Sequence, residues 1–254
     1  MLALLLRLFG GKFKLIATRH SDTAPSGLTN WLLKQADTIV ALIPTQKLPK
    51  PSVVIGHGID TNFFLPSEKK KISGVTQSEI ISVVGRVRKS KGQLIFLEAI
   101  VPLLITNQNW AATVVGRVDD KKFKAQLDEL VQPVKNQVYF IDETRDIKSI
   151  YQASRAIVVP SFSEGFSLVP LEAMACGCIV AATAHVGIHS DAIQDNKNGF
   201  LFERGNAEQL KEILKTIMSA SNIDMQEMAR KTVVLDWSVD KQIERLTNLY
   251  LGKS

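Results

Sequence analysis

Apolar positions along this chain fall into short, separate runs that alternate with longer stretches of helical period. Aliphatic and β-branched residues crowd positions 14–18, 38–42, 52–55, 80–84, 112–115, 137–141, 156–159, 179–182 and 200–202. Runs this short and this continuously apolar predict strands buried on both faces of a sheet. Between them, residues 28–35, 92–105, 121–130, 147–153 and 207–220 carry helix formers with apolar side chains three or four apart. Strands that alternate with helices, joined by right-handed crossovers, make a doubly wound parallel sheet, so the fold class is α/β. Pro102 falls inside the second helical stretch, where a kink is expected. No internal repeat interrupts the pattern.

From 63 to 77 the alternation lapses into proline, lysine and small polar residues. We read residues 67–78 as a linker, 1–66 as a shortened Rossmann-like amino-terminal domain and 79–254 as a complete doubly wound domain. A domain of this kind ordinarily takes on the order of 100–150 residues. The first is therefore expected to leave a sheet edge and part of a face uncovered.

The stretch 155–183, RAIVVPSFSEGFSLVPLEAMACGCIVAAT, reads as strand, loop, helix, strand. Ser167 is the expected N-cap, Pro170 lies in the first turn where its missing N–H matters least, and Gly177 suits the helix stop. In a parallel β-α-β unit the loop lies at the carboxyl edge of the sheet. There the backbone N–H groups of Gly165, Phe166, Ser167 and Leu168 would face a ligand, and an anion such as phosphate suits them. Glu164 and Glu172 bracket the helix start with seven residues between them. Taken alone, the pair is equally well read as a dipole partner and a solvated helix residue. Beside an anion site, two carboxylates point to hydroxyls on either side of the phosphates, which describes a nucleotide sugar.

SEGFSLVPLEAMACG resembles the E-x7-E signature of the retaining family-4 glycosyltransferases of the GT-B fold. The resemblance extends upstream through VVGRVRKSKG, similar to that family's Gly-Arg…Lys-Gly element, and downstream through CGCIVAATAHVGIHSDAIQDNKNGFLF. TRHSDT, HGIDTNFF and GRVRKSKG are similar more narrowly to bacterial lipopolysaccharide core mannosyltransferases. The resemblance implies a GT-B-like architecture and transfer of a hexose, with retention, from GDP-mannose or a UDP-hexose to a lipopolysaccharide core or related glycolipid. It assigns Glu164 to sugar hydroxyls beside the reacting carbon, Glu172 to the ribose, and Arg86 and Lys91 to the diphosphate. The segment Gly165, Phe166, Ser167 and Leu168 would complete the donor site. His20, directly after the first strand, would reach the donor sugar, although a loop histidine considered alone is usually satisfied by backbone. His57, and the charges of Arg88 and Lys89, are read as structural or solvated.

Gly116 and residues 141–143 fall near the place where the family holds the base. Asp142 stands where many relatives have glycine, Ile179 where they have proline and Asp191 where they have glutamate, and the first of these leaves the base open. The helix after Leu235-Asp236-Trp237-Ser238 would fold back toward the first domain. The chain contains no D-x-D triplet. Neither a metal nor another cofactor is expected, and Arg86, Lys91 and the helix start would neutralise the leaving diphosphate.

With 254 residues, 45% hydrophobic and 22% charged, the composition is that of a folded globular protein. A net charge of +6 suits an anionic partner: a nucleotide, an anionic membrane surface or a nucleic acid. No basic stripe interleaved with aromatics is present, so nucleic acid is not expected. Cys176 and Cys178, one residue apart, are read as core residues of a reduced, cytoplasmic protein. The opening MLALLLRLF is broken by Arg7 and lacks a cleavage site, so it reads as a buried or membrane-facing helix rather than a signal peptide. With Lys12 and Lys14 nearby, it could rest on the anionic inner face of a membrane.

Two rival readings remain. A catalytically silent nucleotide-binding module partnering another transferase fits the short first domain, from which we expect the chain to bind nucleotide but transfer sugar poorly alone. A nucleotide-sugar epimerase of the same architecture is disfavoured, because its histidine and carboxylate set is not visible.

Overall fold

The computed structural model describes residues 13–20, 23–44, 47–68, 70–219 and 221–252. Strands and helices alternate along most of the chain: β1 (Ile16–Arg19), α1 (Gly27–Gln35), β2 (Thr38–Ala41) and β3 (Ser52–Val54) come first. Then follow β4 (Glu79–Val84), α2 (Gln93–Thr106), β5 (Trp110–Val115), α3 (Lys121–Leu130), β6 (Val138–Ile141) and α4 (Ile147–Ala153). The chain continues through β7 (Ala156–Val159), α5 (Val169–Ala175), β8 (Ile179–Thr183), α6 (His189–Ala192) and β9 (Phe200–Phe202). It closes with α7 (Ala207–Ser219), α8 (Ile223–Asp236) and α9 (Val239–Leu251). The apolar opening residues 2–9, and Arg7 and Lys12 with them, lie outside the described residues.

Two compact units result. The smaller comprises Met1–Gly58, Glu164–Phe166 and Val239–Ser254, and the larger Ile59–Ser163 and Ser167–Ser238. In the smaller unit β1, β2 and β3 form a parallel sheet in that order. Ser26 caps α1 by accepting from the Thr29 N–H, and Leu33 of that helix packs with Ala36 and Ile39. Helix α9 belongs to this unit, where Gln242 accepts the Gly58 N–H at 2.9 Å. Residues 67–78, whose composition reads as a linker, lie within the larger unit, and Ile72 and Val75 pack there against Ile80, Ala111 and Ala153.

The larger unit is built on a six-stranded, all-parallel sheet of order β6-β5-β4-β7-β8-β9. Its central strands are apolar on both faces because helices cover both, and Ile81, Val83, Ala112, Val114, Ala156 and Val158 join one core with α2 and α7. Helix α2 buries Phe96, Leu97, Ala99, Ile100, Val101, Leu103 and Leu104, and it runs through Pro102 to Thr106. Asp120 and Asp146 cap α3 and α4 by accepting from Phe123 and Ser149 N–H groups. A chain of buried hydroxyls crosses the sheet: Thr113 donates to Ser82 at 2.7 Å, Ser82 pairs with Ser154 at 2.6 Å, and Ser154 donates to the Ile150 carbonyl. Cys176 and Cys178 are buried and unbridged. Burial raises the Cys176 thiol to about 11 and Cys178 well above its usual range, which leaves both in the inert thiol form.

Strand order doubles back between β4 and β7. At such a switch point the crossovers leave the carboxyl ends of neighbouring strands in opposite directions and open a crevice between their loops. Those loops are residues 85–92 after β4 and 160–168 after β7. Among the described residues no helix is long and apolar enough to cross a membrane.

Candidate functional site

Two glycines bring the loops of the larger unit together. Gly92 has φ +71 and begins α2; a Cβ there would stand 1.9 Å from the Pro160 carbonyl oxygen, so only glycine lets β7 end so close. Gly116, at the end of β5, has φ +141, and a Cβ would meet the Gly85 oxygen at 2.4 Å. Hydrogen bonds hold the approach. Phe162 N–H donates to Ser90 O at 2.9 Å, and the buried Gln93 amide donates to Arg86 O at 2.9 Å.

Arg86 and Lys91 stand on this loop. The half-exposed Arg86 guanidinium lies 3.4 Å from Asp119, which also pairs with Arg117 at 3.2 Å. An exposed pair of this type contributes only about 0–1 kcal/mol, so an anionic ligand can compete for Arg86. The stem of Lys91 runs along Gly85, with Cδ 3.7 Å from where a Cβ would be. A cleft of about 330 Å³ opens beside them at the carboxyl ends of β4, β5 and β6, lined by Val87, Gly116, Arg117, Ile141 and Asp142 among others. A larger cleft of about 510 Å³ lies at the opposite edge of the sheet, next to Glu79, Arg155 and Gly177, and includes none of the expected site residues.

On the other loop, Ser167 departs from the sequence expectation. It adopts φ +78, Leu168 takes the cap position, and no side chain caps α5. The left-handed turn carries the Ser167 hydroxyl out of line with the first helical N–H groups, so the helix begins one residue later than a serine cap would place it. A non-glycine residue in this region carries on the order of 1–2 kcal/mol of strain. Pro170 does lie in the first turn, and Gly177, at φ +81, follows the last residues of the helix.

Glu172, one turn into α5, is half-buried. Its Oε2 accepts from the Tyr151 hydroxyl at 2.7 Å. Burial pushes its carboxyl above the usual range, and the Tyr151 hydrogen bond pulls it partly back. Tyr151 itself is driven far up by burial and by the charge of Glu172, so it remains a donor.

The smaller unit holds the remaining expected residues: His20, Glu164, Gly165 and Phe166. His20 is exposed and stacks on His57, with ring centroids 5.4 Å apart. Phe166 is buried, its ring nearly perpendicular to that of His57 with centroids 5.1 Å apart, so the side chain serves packing. Desolvation, and then the neighbouring His20, lower the pKa of His57 and favour a neutral ring, in keeping with a structural role. The His20 carbonyl oxygen lies 3.6 Å from where a Gly165 Cβ would be.

Arg86, Lys91, Ser167, Leu168 and Glu172 thus share the larger unit, while His20, Glu164, Gly165 and Phe166 share the smaller. Tyr151, Asp119 and Gln93 were not singled out in the sequence. A weak signal exists only for Gln93, which follows the Lys91-Gly92 pair.

The arrangement is that of a doubly wound domain with cations and a helix start at its switch point, a nucleotide-binding layout. The chain belongs to the family described as glycosyl transferases group 1, whose profile matches residues 66–232. It is 34% identical over 203 residues to the lipopolysaccharide core biosynthesis mannosyltransferase LpsB of Rhizobium meliloti, a match covering 75% of this chain and 58% of that protein. With LpcC of Rhizobium leguminosarum bv. viciae, a protein of the same description, identity is 27% over 249 residues, covering 93% of this chain and 70% of LpcC. The crystal structure of the C-terminal domain of the group 1 glycosyl transferase LpcC from Francisella tularensis superposes with a TM-score of 0.67 at 31% identity. It covers 72% of this chain and 100% of that domain. The chain therefore spans less than two thirds of LpsB, and its fold resembles the carboxyl-terminal domains of GT-B transferases.

Proposed function

We propose that the chain transfers a hexose, mannose from GDP-mannose, to a lipopolysaccharide core acceptor with retention of configuration. The observation that carries this reading is the convergence of Arg86, Lys91 and the start of α5 on the switch point, in a chain related to two core mannosyltransferases. Arg86 offers a planar fork and Lys91 a point charge to the diphosphate, the α5 start adds backbone N–H groups, and no metal is called for. Glu172 accepts from the ribose hydroxyls. Glu164 binds sugar hydroxyls beside the reacting carbon and His20 touches the sugar.

The test is transfer of labelled sugar to core acceptor, after calorimetric titration with GDP-mannose, UDP-glucose and UDP-galactose. Glu164→Ala should abolish transfer while leaving the circular dichroism spectrum unchanged; full activity in that variant would refute the assignment. A second reading, a nucleotide-binding module without turnover, is favoured by the family match, which at 66–232 lies in the larger unit apart from Glu164–Phe166. Binding without transfer or donor hydrolysis would select it. Association with an anionic membrane near the acceptor is proposed from the sequence, in which Arg7, Lys12 and Lys14 accompany the apolar residues 2–9. Liposome binding indifferent to salt and anionic lipid would remove that part.

A further inference from the structure

We propose that Tyr151 is a positioning residue for nucleotide recognition: its hydroxyl fixes one oxygen of Glu172 so that the other is held toward the vicinal hydroxyls of the ribose. The inference rests on the nucleotide-sugar reading of the site.

Tyr151 lies on α4 with 1% of its surface exposed, and its hydroxyl meets Glu172 Oε2 at 2.7 Å, the short distance of a bond to a charged acceptor. The two residues stand 21 positions apart, and their helices are held in one frame. The Tyr151 carbonyl accepts from Cys178 Sγ at 3.1 Å, its ring lies 6.1 Å from that of Phe64, and the Gln152 amide donates to Leu65 O at 2.8 Å. Arg230 ties the same segment to the end of α5, donating to the carbonyls of Phe64, Thr61 and Ala175. The donor is thus fixed in place before any ligand arrives.

A carboxylate has about four acceptor positions, of which Tyr151 occupies one on Oε2. Oε1 makes no hydrogen bond among the described residues. A glutamate left to itself would sample several rotamers and lose that freedom on binding; the hydroxyl removes most of it beforehand. The bond also counteracts the effect of burial, keeping Glu172 ionised at lower pH than burial alone would allow. A buried tyrosine needing only some acceptor would be equally well served by a backbone carbonyl, which does not titrate. Reading the bond as positioning therefore predicts a ligand-specific and pH-dependent effect.

The experiment measures the affinity of the full chain for GDP and UDP, each beside its 2′,3′-dideoxy analogue, across pH 5–8. The unaltered protein should prefer the ribose form by roughly ten- to a hundredfold, the range of a hydrogen bond to a charged group. Glu172→Gln should remove most of that preference. Tyr151→Phe should reduce it several-fold, leave affinity for the dideoxy forms unchanged, and move the acid limb of the preference to higher pH. In the Glu172→Gln background the same change should have no further effect. As a variant that keeps ring and hydroxyl, 3-fluorotyrosine at position 151 strengthens the donor and should shift the acid limb the opposite way.

Equal weakening of ribose and dideoxy forms, or an acid limb unmoved by both changes at Tyr151, would overturn the inference while leaving the nucleotide reading intact. Absence of binding, or no ribose preference in the unaltered protein, would overturn the reading and the inference together.

Discussion

Replacing Gly92 by alanine puts a methyl group where β7 ends. The Cβ would stand 1.9 Å from the Pro160 oxygen and 2.7 Å from its carbonyl carbon, so the backbone has to part by about 1.5 Å to reach ordinary contact. The residue also sits at φ +71, which disfavours any L side chain by about 1–2 kcal/mol. Adding about 1–3 kcal/mol for overpacking gives a loss on the order of 2–5 kcal/mol. Gly74 supplies the control in the same unit. It has φ +82 but nothing within 4 Å, so Gly74→Ala carries only the conformational part, about 1–2 kcal/mol. For a unit of this size each kcal/mol lowers Tm by roughly 2–4 °C, so Gly92→Ala should melt roughly 4–20 °C lower and Gly74→Ala roughly 2–8 °C lower. Thermal unfolding followed by circular dichroism reads both. Because Lys91 precedes Gly92 and Phe162 is bonded to Ser90, parting the loops should also weaken nucleoside diphosphate binding below the melting transition, in Gly92→Ala alone. Equal Tm losses in the two variants, or unchanged binding in Gly92→Ala, would refute the claim that close approach at Gly92 assembles the site.

Arg86→Ala and Lys91→Ala should each weaken binding of GDP or UDP by about 1.5–3 kcal/mol while leaving the unphosphorylated nucleoside unaffected; equal losses for both ligands in calorimetry would disprove the diphosphate assignment. Ser82→Ala deprives the buried Thr113 hydroxyl of its acceptor and should lower stability to urea by about 1–3 kcal/mol, whereas a loss below 0.5 kcal/mol would mean the hydroxyl chain contributes little. Glu172→Gln tests the effect of burial on the carboxyl. Its pKa is raised on folding, so the native state holds a proton to higher pH than the unfolded chain, and stability falls as pH rises from the ordinary value near 4.5 through the raised one. The neutral amide escapes this: its Tm should match the parent's near pH 4 and exceed it at pH 7–8. A deficit that widens with rising pH would contradict that sign.

Hydropathy period was enough to specify β7, α3 and α4 to the residue, because what defines those elements lies within a few positions: a buried β-branched run ended by Pro160, helical apolar spacing, and aspartates at 120 and 146 that cap the two helices. The seven-residue spacing of Glu164 and Glu172, and the cations Arg86 and Lys91 after a strand, are local patterns of the same kind; the structure sets Arg86 and Lys91 on the 85–92 loop and Glu172 on α5. Helix α8 was not, since only Ala229 and Val233 of its 14 residues are buried and the apolar period is faint. Tertiary structure alone decided the strand order that puts the 85–92 and 160–168 loops at one switch point, because pairing of β4 with β7 joins residues far apart in sequence. It also decided the left-handed turn at Ser167, the contact of Gly92 with Pro160, and the hydroxyl of Tyr151 on Glu172. Each of these is set by what packs against a residue across the fold, and a chain read one neighbourhood at a time carries no record of that partner.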